Sequence, residues 1–316
     1  MTSTPPRISV VLCTHNPREE YLRRTLDSLA AQDLPAEEWE VVLVDNASEP
    51  PLAGRVGLER FGNARVVVEE RLGLSPARLR GIAEAQAPWI CFVDDDNVLR
   101  PDYLRTALGI AAEHPHLGCL GGRIEGEFEV EPPRWFRRYQ EMIAVRPLDR
   151  DHWGNSQVYN RATPCGAGMV IRADVARRYA ELCATSPLRV LLDRRGGSLA
   201  SAGDLDMAFT AIDMGHGVGR FTALSLTHLI PRGRLELDYL ARLAEDSEES
   251  SIYLILLRHP DAFDGFRMGR IATFRAKVRL MLVGNPVSRR IRLARDRGRR
   301  KGIANVPRLK AELAAK

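Results

Sequence analysis

The first hundred residues contain a run, RISVVLCT (7–14), that is apolar at nearly every position and shows no alternation. A strand with one wet face carries a period of two. A run without that period is buried on both faces, as in a parallel sheet covered by helices. WEVVLVD (39–45), ARVVVEE (64–70) and WICFVD (89–94) read as further strands. The segments between them read as helices. NPREEYLRRTLDSLAAQ (16–32) puts Leu22, Leu26 and Leu29 on one face. Asn16 is its expected N-cap, with Pro17 at the first helical position and Glu19 three residues after the cap. SPARLRGIAEAQ (75–86) and PDYLRTALGIAAEH (101–114) complete a β-α-β order, which predicts an α/β fold on a mostly parallel, doubly wound sheet.

In such sheets ligands bind outside the carboxyl ends of the strands. Polar residues collect there: Thr14, His15 and Asn16, then Asp45 and Asn46, then Asp94, Asp95 and Asp96. No GxGxxG follows the first strand, which argues against a dinucleotide fold. Residues 125–163 predict long loops with one short helix, GAGMVIRADV (166–175) a strand then a helix, and GDLDMAFTAIDMG (203–215) a helix. From about residue 238 the chain reads as helical and increasingly basic.

Each polar cluster admits a plain and a chemical reading. The carboxylates of DDDN (94–97) repel one another unless water or a cation compensates. Mg²⁺ takes one or two protein carboxylates plus phosphate oxygens and water, so this run suits a nucleotide-diphosphate chelate; a solvated turn is the plain reading. Asp45 is either an ordinary Asx turn or an acceptor for a base N–H such as that of uracil. Arg71, Arg78 and Arg80 form a solvated basic face or a site for diphosphate or base stacking. Asp204 and Asp206 cap a helix, or one of them, kept ionised by the helix dipole, serves as a base. His228 is a structural histidine or a ligand for a harder transition ion such as Mn²⁺.

Composition narrows the setting. The chain has 316 residues, 45% hydrophobic and 28% charged, ordinary for a soluble globular protein. Its five scattered cysteines form no CxxC pair, so neither a zinc site nor a disulfide framework is expected, and a reducing compartment is. No signal peptide is visible, and IYLILL (252–257) is too short to cross a bilayer. Residues 267–316 carry 16 Lys/Arg against 2 Asp/Glu, a net +14, which leaves the rest of a +5 chain at −9. Such a tail either lies on an anionic membrane surface or is a solvated helical extension; no nucleic-acid module is recognisable, and no nucleic acid is expected as partner. The expected location is cytoplasmic, with peripheral attachment to the inner face of the plasma membrane as the form the tail would allow.

The series THN, VDN, RLGLxxARxxGI, DDDN, GAG, GDLDM and LTHLIPxGRL, from about residue 7 to about 240, resembles the bacterial-type family 2 glycosyltransferases, inverting enzymes of the GT-A fold. The resemblance implies a Rossmann-like GT-A domain over 1–237, with a nucleotide-binding half (1–125) and an acceptor-binding half (126–237), followed by a helical, basic extension (238–316). It implies metal-dependent transfer of one sugar from a nucleotide-diphosphate sugar, a UDP-sugar favoured, to a hydroxyl of a glycan, lipid-linked or small-molecule acceptor. By position it implies a nucleotide pocket of Thr14, His15, Asn16, Asp45, Arg71, Arg78 and Asp95. It implies Mn²⁺ or Mg²⁺ at Asp96 and His228, and Asp204 as catalytic base with Asp206 as its alternative. Gly203 stands where the acidic motif usually has Glu or Asp, and Leu79 where the arginine motif often has Asn. The QxxRW-type processive motif is absent, in keeping with single addition. A sugar nucleotidyltransferase and a non-catalytic nucleotide-sugar-binding protein are the alternatives; LCTHNPREE lacks the glycine-rich phosphate loop of the first.

Overall fold

The structure, a computed structural model, describes residues 5–264 and 284–314, so the expectations for 267–283 lie outside the described residues. Strand β1 (Ile8–Thr14) is buried at every position. It pairs in parallel with β2 (Trp39–Asp45) on one side and β4 (Trp89–Asp94) on the other, and β2 pairs in parallel with β3 (Ala64–Val68). Alternate residues of these strands enter different cores. Val10, Leu12, Val41, Leu43 and Val93 pack with α1 (Glu19–Ala30) and α3 (Tyr103–Glu113). Val11, Val42, Val44, Ile90 and Phe92 pack with α2 (Leu74–Glu84), α4 (Ala173–Thr185) and α6 (Gly203–Asp213). A continuous apolar run is therefore what a sheet between two helical layers requires.

Beyond β4 the sheet is mixed. Among the described residues it has nine strands, in the order β3-β2-β1-β4-β8-β6-β9-β5, with β7 also on β9. β8 (Val170–Arg172) runs antiparallel to β4 and to β6 (Leu117–Phe128). β6 is parallel to the long β9 (Gly217–Ile230), which takes β5 (Asn97–Leu99) and β7 (His152–Gly154) antiparallel. Residues 125–163 thus hold more regular structure than the sequence suggests, including 3₁₀ turns at Phe136–Arg138 and Gln140–Ile143.

The start of α1 differs from the expectation. The helix begins at Glu19, and Asn16, at φ 47°, stands outside it. The Asn16 amide oxygen accepts from the Glu49 N–H at 2.8 Å, and its own N–H donates to Ser48 Oγ at 2.9 Å. Asparagine tolerates left-handed backbone, so it serves here as a loop clasp between the ends of β1 and β2.

The C-terminal segments close over the rest. α7 (Leu237–Arg258) packs on α8 (Pro286–Ala314), where Gly298 and Gly302 let the backbones approach: a Cβ at Gly298 would stand 2.0 Å from the Glu245 carbonyl oxygen. The positive charge of α8 faces an acidic stretch of α7, with Arg297–Glu245 at 2.8 Å, Arg299–Glu248 at 2.7 Å and Lys301–Glu249 at 2.7 Å. Each such surface pair contributes at most about 1 kcal/mol, so burial of Ile291, Ala294, Val306 and Leu309 carries more of the docking.

One buried ionic cluster ties these helices to the sheet. Asp206, wholly buried on α6, accepts from Arg189 on α5 (Pro187–Val190) and from Arg258 on α7, the latter at 2.9 and 3.1 Å. That burial removes Asp206 as an alternative base. Asp206→Ala would strand two guanidiniums and is expected to cost about 3–5 kcal/mol. Denaturant unfolding checks this; a midpoint close to that of the unaltered protein would mean the cluster does not hold α6 in place.

Candidate active site

Register sets the floor of the site. Thr14 lies opposite Asp45, and Cys13 opposite Asp94, so three strands end together and the following residues project beyond one edge. Antiparallel pairing of β5 with β9 places His228 opposite Asn97. Asp96 and His228, far apart in the chain, are thereby brought together, and the Asp96 carbonyl accepts from the Leu229 N–H at 2.8 Å. The three consecutive carboxylates avoid one another by turning to different partners. Asp94 lies within electrostatic reach of Arg78, Asp95 accepts from the Thr14 hydroxyl, and Asp96 accepts from Asn97 Nδ2 at 2.9 Å. Asn97, fully buried, also accepts the Asp94 N–H at 3.2 Å, so the N of DDDN folds the turn.

Asp96 and His228 lie side by side, next to the Arg234 guanidinium. Asp96 Oδ2 lies 3.3 Å from His228 Nε2, and the Arg234 guanidinium sits 3.0 Å from both. Arg234 Nη1 thus stands within hydrogen-bond distance of both His228 Nε2 and Asp96 Oδ2. Donors around a six-coordinate Mg²⁺-like ion with bonds of about 2.0–2.1 Å stand about 3 Å apart, and this pair has that spacing. Among the described residues no three His, Cys, Asp or Glu groups form a ready metal cage. The pair therefore suits an ion whose other ligands are phosphate and water. Burial opposes ionisation of Asp96, but the His228 ring and the Arg234 and Arg194 guanidiniums outweigh it and hold the carboxyl below its usual range. Burial, with Asp96 alongside, pushes Asp95 up to about 7.

The opposite wall is organised around Arg78. Gly81, one turn on, has no Cβ to strike Val11, which would lie 2.2 Å away, and this lets α2 settle onto β1. Arg78 is then 5% exposed, over the Phe92 ring at 5.7 Å and 3.6 Å from Asp193 Oδ2. Burial works against its charge, and Asp193, Asp94 and Asp204 more than restore it. Asp204 starts α6; it accepts from the Gly166 N–H at 2.9 Å and from the Leu205 N–H at 2.9 Å. Burial raises its carboxyl above the usual range; Arg78 opposes this and Asp193 adds to it. Asp193 also accounts for Gly203: a Cβ there would lie 2.3 Å from Asp193 Oδ2, so a carboxylate from elsewhere in the chain fills the space beside the motif.

These groups surround one cavity of about 720 Å³, within the size range of small-ligand sites. Of the residues singled out in the sequence, Thr14, His15, Asn46, Arg78, Asp94, Asp95, Asp96, Asp204 and His228 line it. Asn16, Asp45, Arg71, Arg80 and Asp206 do not. Both Asp45 oxygens accept backbone N–H groups, from Ser48 at 3.0 Å and Leu52 at 2.9 Å, and the residue is 1% exposed. Arg71 turns outward to Glu69 at 2.9 Å. Asn46 works between these loops, donating to the Glu69 and Arg71 carbonyls at 2.8 and 2.9 Å and accepting the Gly73 N–H at 2.8 Å. Sequence reasoning gave no role to Arg234, Asp193 or Arg146, which also line the cavity; only Arg234 lay within a motif already noted, LTHLIPRGRL. Ala244, Ser247 and Ser251 of α7 and Arg295 of α8 add to the wall.

Comparison with known proteins adds independent findings. A sequence-family model described as Glycosyl transferase family 2 matches residues 9–179, more than half of the chain. Poly(ribitol-phosphate) beta-N-acetylglucosaminyltransferase TarS of Staphylococcus aureus is 33% identical over 123 residues, 38% of this chain and 21% of that protein. Validoxylamine A glucosyltransferase of Streptomyces hygroscopicus subsp. limoneus is 35% identical over 128 residues, 38% of this chain and 28% of that one. The matches thus span about a fifth to a quarter of these two relatives' own lengths. The crystal structure of S. aureus TarS 1-349 in complex with UDP-GlcNAc superposes with a TM-score of 0.53 at 16% identity, over 98% of this chain and 92% of that one. This likeness identifies the fold as GT-A.

Arg78 supplies a prediction. Arg78→Met removes the counter-charge of Asp94, Asp193 and Asp204 and is expected to lose about 3–5 kcal/mol of stability at neutral pH. Without that cation the buried Asp204 carboxyl titrates still higher in the folded state than in the unfolded one. Stability linked to such a group is present at low pH and lost as pH rises through the folded value. The deficit should accordingly be smaller at pH 5 than at pH 8 in guanidinium chloride unfolding, and an equal deficit at both would count against this account.

Proposed function

Because this chain belongs to glycosyl transferase family 2, we propose that it moves a single sugar, with inversion, from a nucleotide-diphosphate sugar to an acceptor hydroxyl. The observation that carries the reading is the gathering of two sets of groups in one cavity: Asp95, Asp96 and His228 at the strand ends, and Asp204 at the head of α6. A carboxylate whose pKa is raised by burial is matched to proton abstraction near neutral pH. The UDP-GlcNAc bound in the TarS structure supports a nucleotide-sugar donor and favours a uridine one.

In this reading Thr14, His15, Asp95 and Arg78 form the donor pocket. Asp45 and Asn16 act from below, by fixing the loops after β1 and β2. Asp96 and His228 would hold a divalent cation, Mn²⁺ or Mg²⁺, which when bound supplies charge neutralisation on the leaving diphosphate. Arg234 keeps this position positive before any donor arrives. Asp204 takes the proton of the acceptor hydroxyl, which attacks C1 from the face away from the diphosphate. General-base help of this kind contributes roughly 10²–10⁴ in rate.

Two measurements test the proposal. A thermal-shift panel of UDP, GDP, ADP and dTDP, each with and without Mn²⁺ or Mg²⁺, should show one diphosphate, UDP, binding more tightly with the ion. No gain for any of the four would remove the metal–diphosphate assignment. Asp204→Asn should lower release of nucleoside diphosphate from the donor by roughly 10²–10⁴ while leaving diphosphate binding intact. In the unaltered enzyme the acid limb of kcat/KM should lie above the ordinary carboxylate range, with rate rising as Asp204 deprotonates. Wild-type turnover by Asp204→Asn would end its assignment as base.

A further inference from the structure

A second cavity, of about 590 Å³, opens beside the first and shares Glu141, Arg146 and Tyr159 with it. It brings together Arg123 of β6, Arg220 of β9, Arg146 from between β6 and β7, and Arg161 from between β7 and β8. Two of these are buried to an unusual degree for arginine, with Arg146 and Arg220 each 4% exposed.

Buried guanidiniums are ordinarily paired with carboxylates, because an unpaired buried charge costs several kcal/mol, of order 3–5. Among the described residues neither Arg146 nor Arg220 takes part in an ion pair. Arg220 spends its fork on carbonyls, Gly122 at 3.1 Å and Arg146 at 2.9 Å. Arg146 has the Cys165 thiol beside it and the Tyr159 ring 5.3 Å away, and its buried Nε has no hydrogen-bond partner. The Nε of Arg123 is likewise buried and makes no hydrogen bond, with Glu125 Oε1 standing 3.4 Å from it. Two carboxylates of the cavity pair with its outer arginines, Glu125 with Arg123 at 3.4 Å and Asp149 with Arg161 at 3.7 Å, and Glu141 lies on the shared wall. Burial, then the charge of Arg146, drives the Arg220 guanidinium to titrate below its usual range, with the Cys165 thiol, Tyr159 and Glu141 opposing the shift.

We propose that this cavity is an anion subsite that takes an oxyanion of the acceptor, phosphate or carboxylate, on Arg146 and Arg123. Arg220 is the fixed charge behind them. The proposal rests on the glycosyl-transfer reading for the word acceptor, and on geometry alone for the anion. Arg146 lines the same cavity as Asp204 and lies within its electrostatic reach. An acceptor anchored there by its anion can therefore turn a hydroxyl towards that carboxylate. Tyr159, half exposed on the shared wall, offers an aromatic face to the acceptor's carbon skeleton.

The test uses the full chain, with saturating UDP and Mn²⁺ to occupy the donor pocket, and three probes: glycerol phosphate, glycerate and glycerol. Calorimetry should show one or both anionic probes binding and glycerol not. Arg146→Gln should weaken that binding about tenfold or more, as expected for loss of a charge-assisted contact. Arg123→Gln, at the rim, should weaken it less and guards against a variant that fails to fold. Preference between the two anionic probes distinguishes phosphate from carboxylate. Repeating the titration without UDP separates the two readings: if the chain binds no UDP but still binds an anion through Arg146, the donor assignment fails and the anion site stands. Anion binding that is equal in both variants and the unaltered chain, binding of neither anion, or binding abolished by saturating UDP would each overturn the subsite.

Discussion

The buried guanidinium of Arg78 is the constraint around which the rest of the site is arranged. Two unit charges 4 Å apart at an effective dielectric of 20 attract by about 4 kcal/mol, so one arginine among Asp94, Asp193 and Asp204 is a strong organiser. The chain makes room for it with three residues that have no side chain. Gly81 lets α2 descend onto β1, Gly166 leaves space where a Cβ would stand 2.2 Å from Arg78 Nη2, and Gly203 leaves space for Asp193. The glycines scattered through RLRGI, CGAG and SAGDL therefore have one shared physical reason. Each borders the chamber that holds a cation and its carboxylates.

The same logic, run in reverse, applies at the strand ends. There the carboxylates of DDDN are fixed first, by Asn97, Thr14 and the β5–β9 pairing, and the cation is Arg234. A cavity with one permanently paired arginine on one wall and an acceptor pair around a second arginine on the other is polarised across its width. That polarisation leaves the chemistry of the two walls distinct. Asp96 is kept ionised by its neighbours, and Asp204 is kept basic by burial. Two aspartates of one cavity can then hold different protonation behaviour at one pH, which is the general condition for separating a cation-holding role from a base role.

Much of this was legible in the sequence, for identifiable reasons. β1, β2 and β4 could be read because burial on both faces leaves an unbroken apolar run. Thr14, Asp95 and Asp96 could be read because parallel sheets place ligands at strand ends. β5, three residues long, was hidden because its neighbours are the aspartates that drew attention instead. Asn16 was misplaced as a cap because its side chain answers to Glu49, across a turn that local pattern does not reveal. Asp45 and Arg71 have the right chemistry for a nucleotide, but their hydrogen bonds are spent within a few residues of themselves. Asp193, Arg146 and Arg234 act through partners supplied by tertiary packing, and no local spacing announces them. The basic tail read as a surface for something else; where it is described, its charges meet the acidic stretch of α7.

The C-terminal helices follow from that last point. α7 contributes Arg258 to the cluster that fixes Asp206, and it contributes Ala244, Ser247 and Ser251 to the cavity wall. Asp206 lies two residues beyond Asp204 on the same first turn of α6. Any shift of α7 is therefore transmitted to the segment that presents Asp204, through a buried ion cluster that has no cheap alternative arrangement. α7 and α8 are in this sense mechanically part of the site, although their sequences carry none of the motifs. The ion pairs between α7 and α8 are exposed and weak singly, but they hold the helix that carries Arg258 against the one that carries Arg295 into the cavity. Charge that looked like an excess in the chain's composition is thereby used to fix the wall opposite the strand ends.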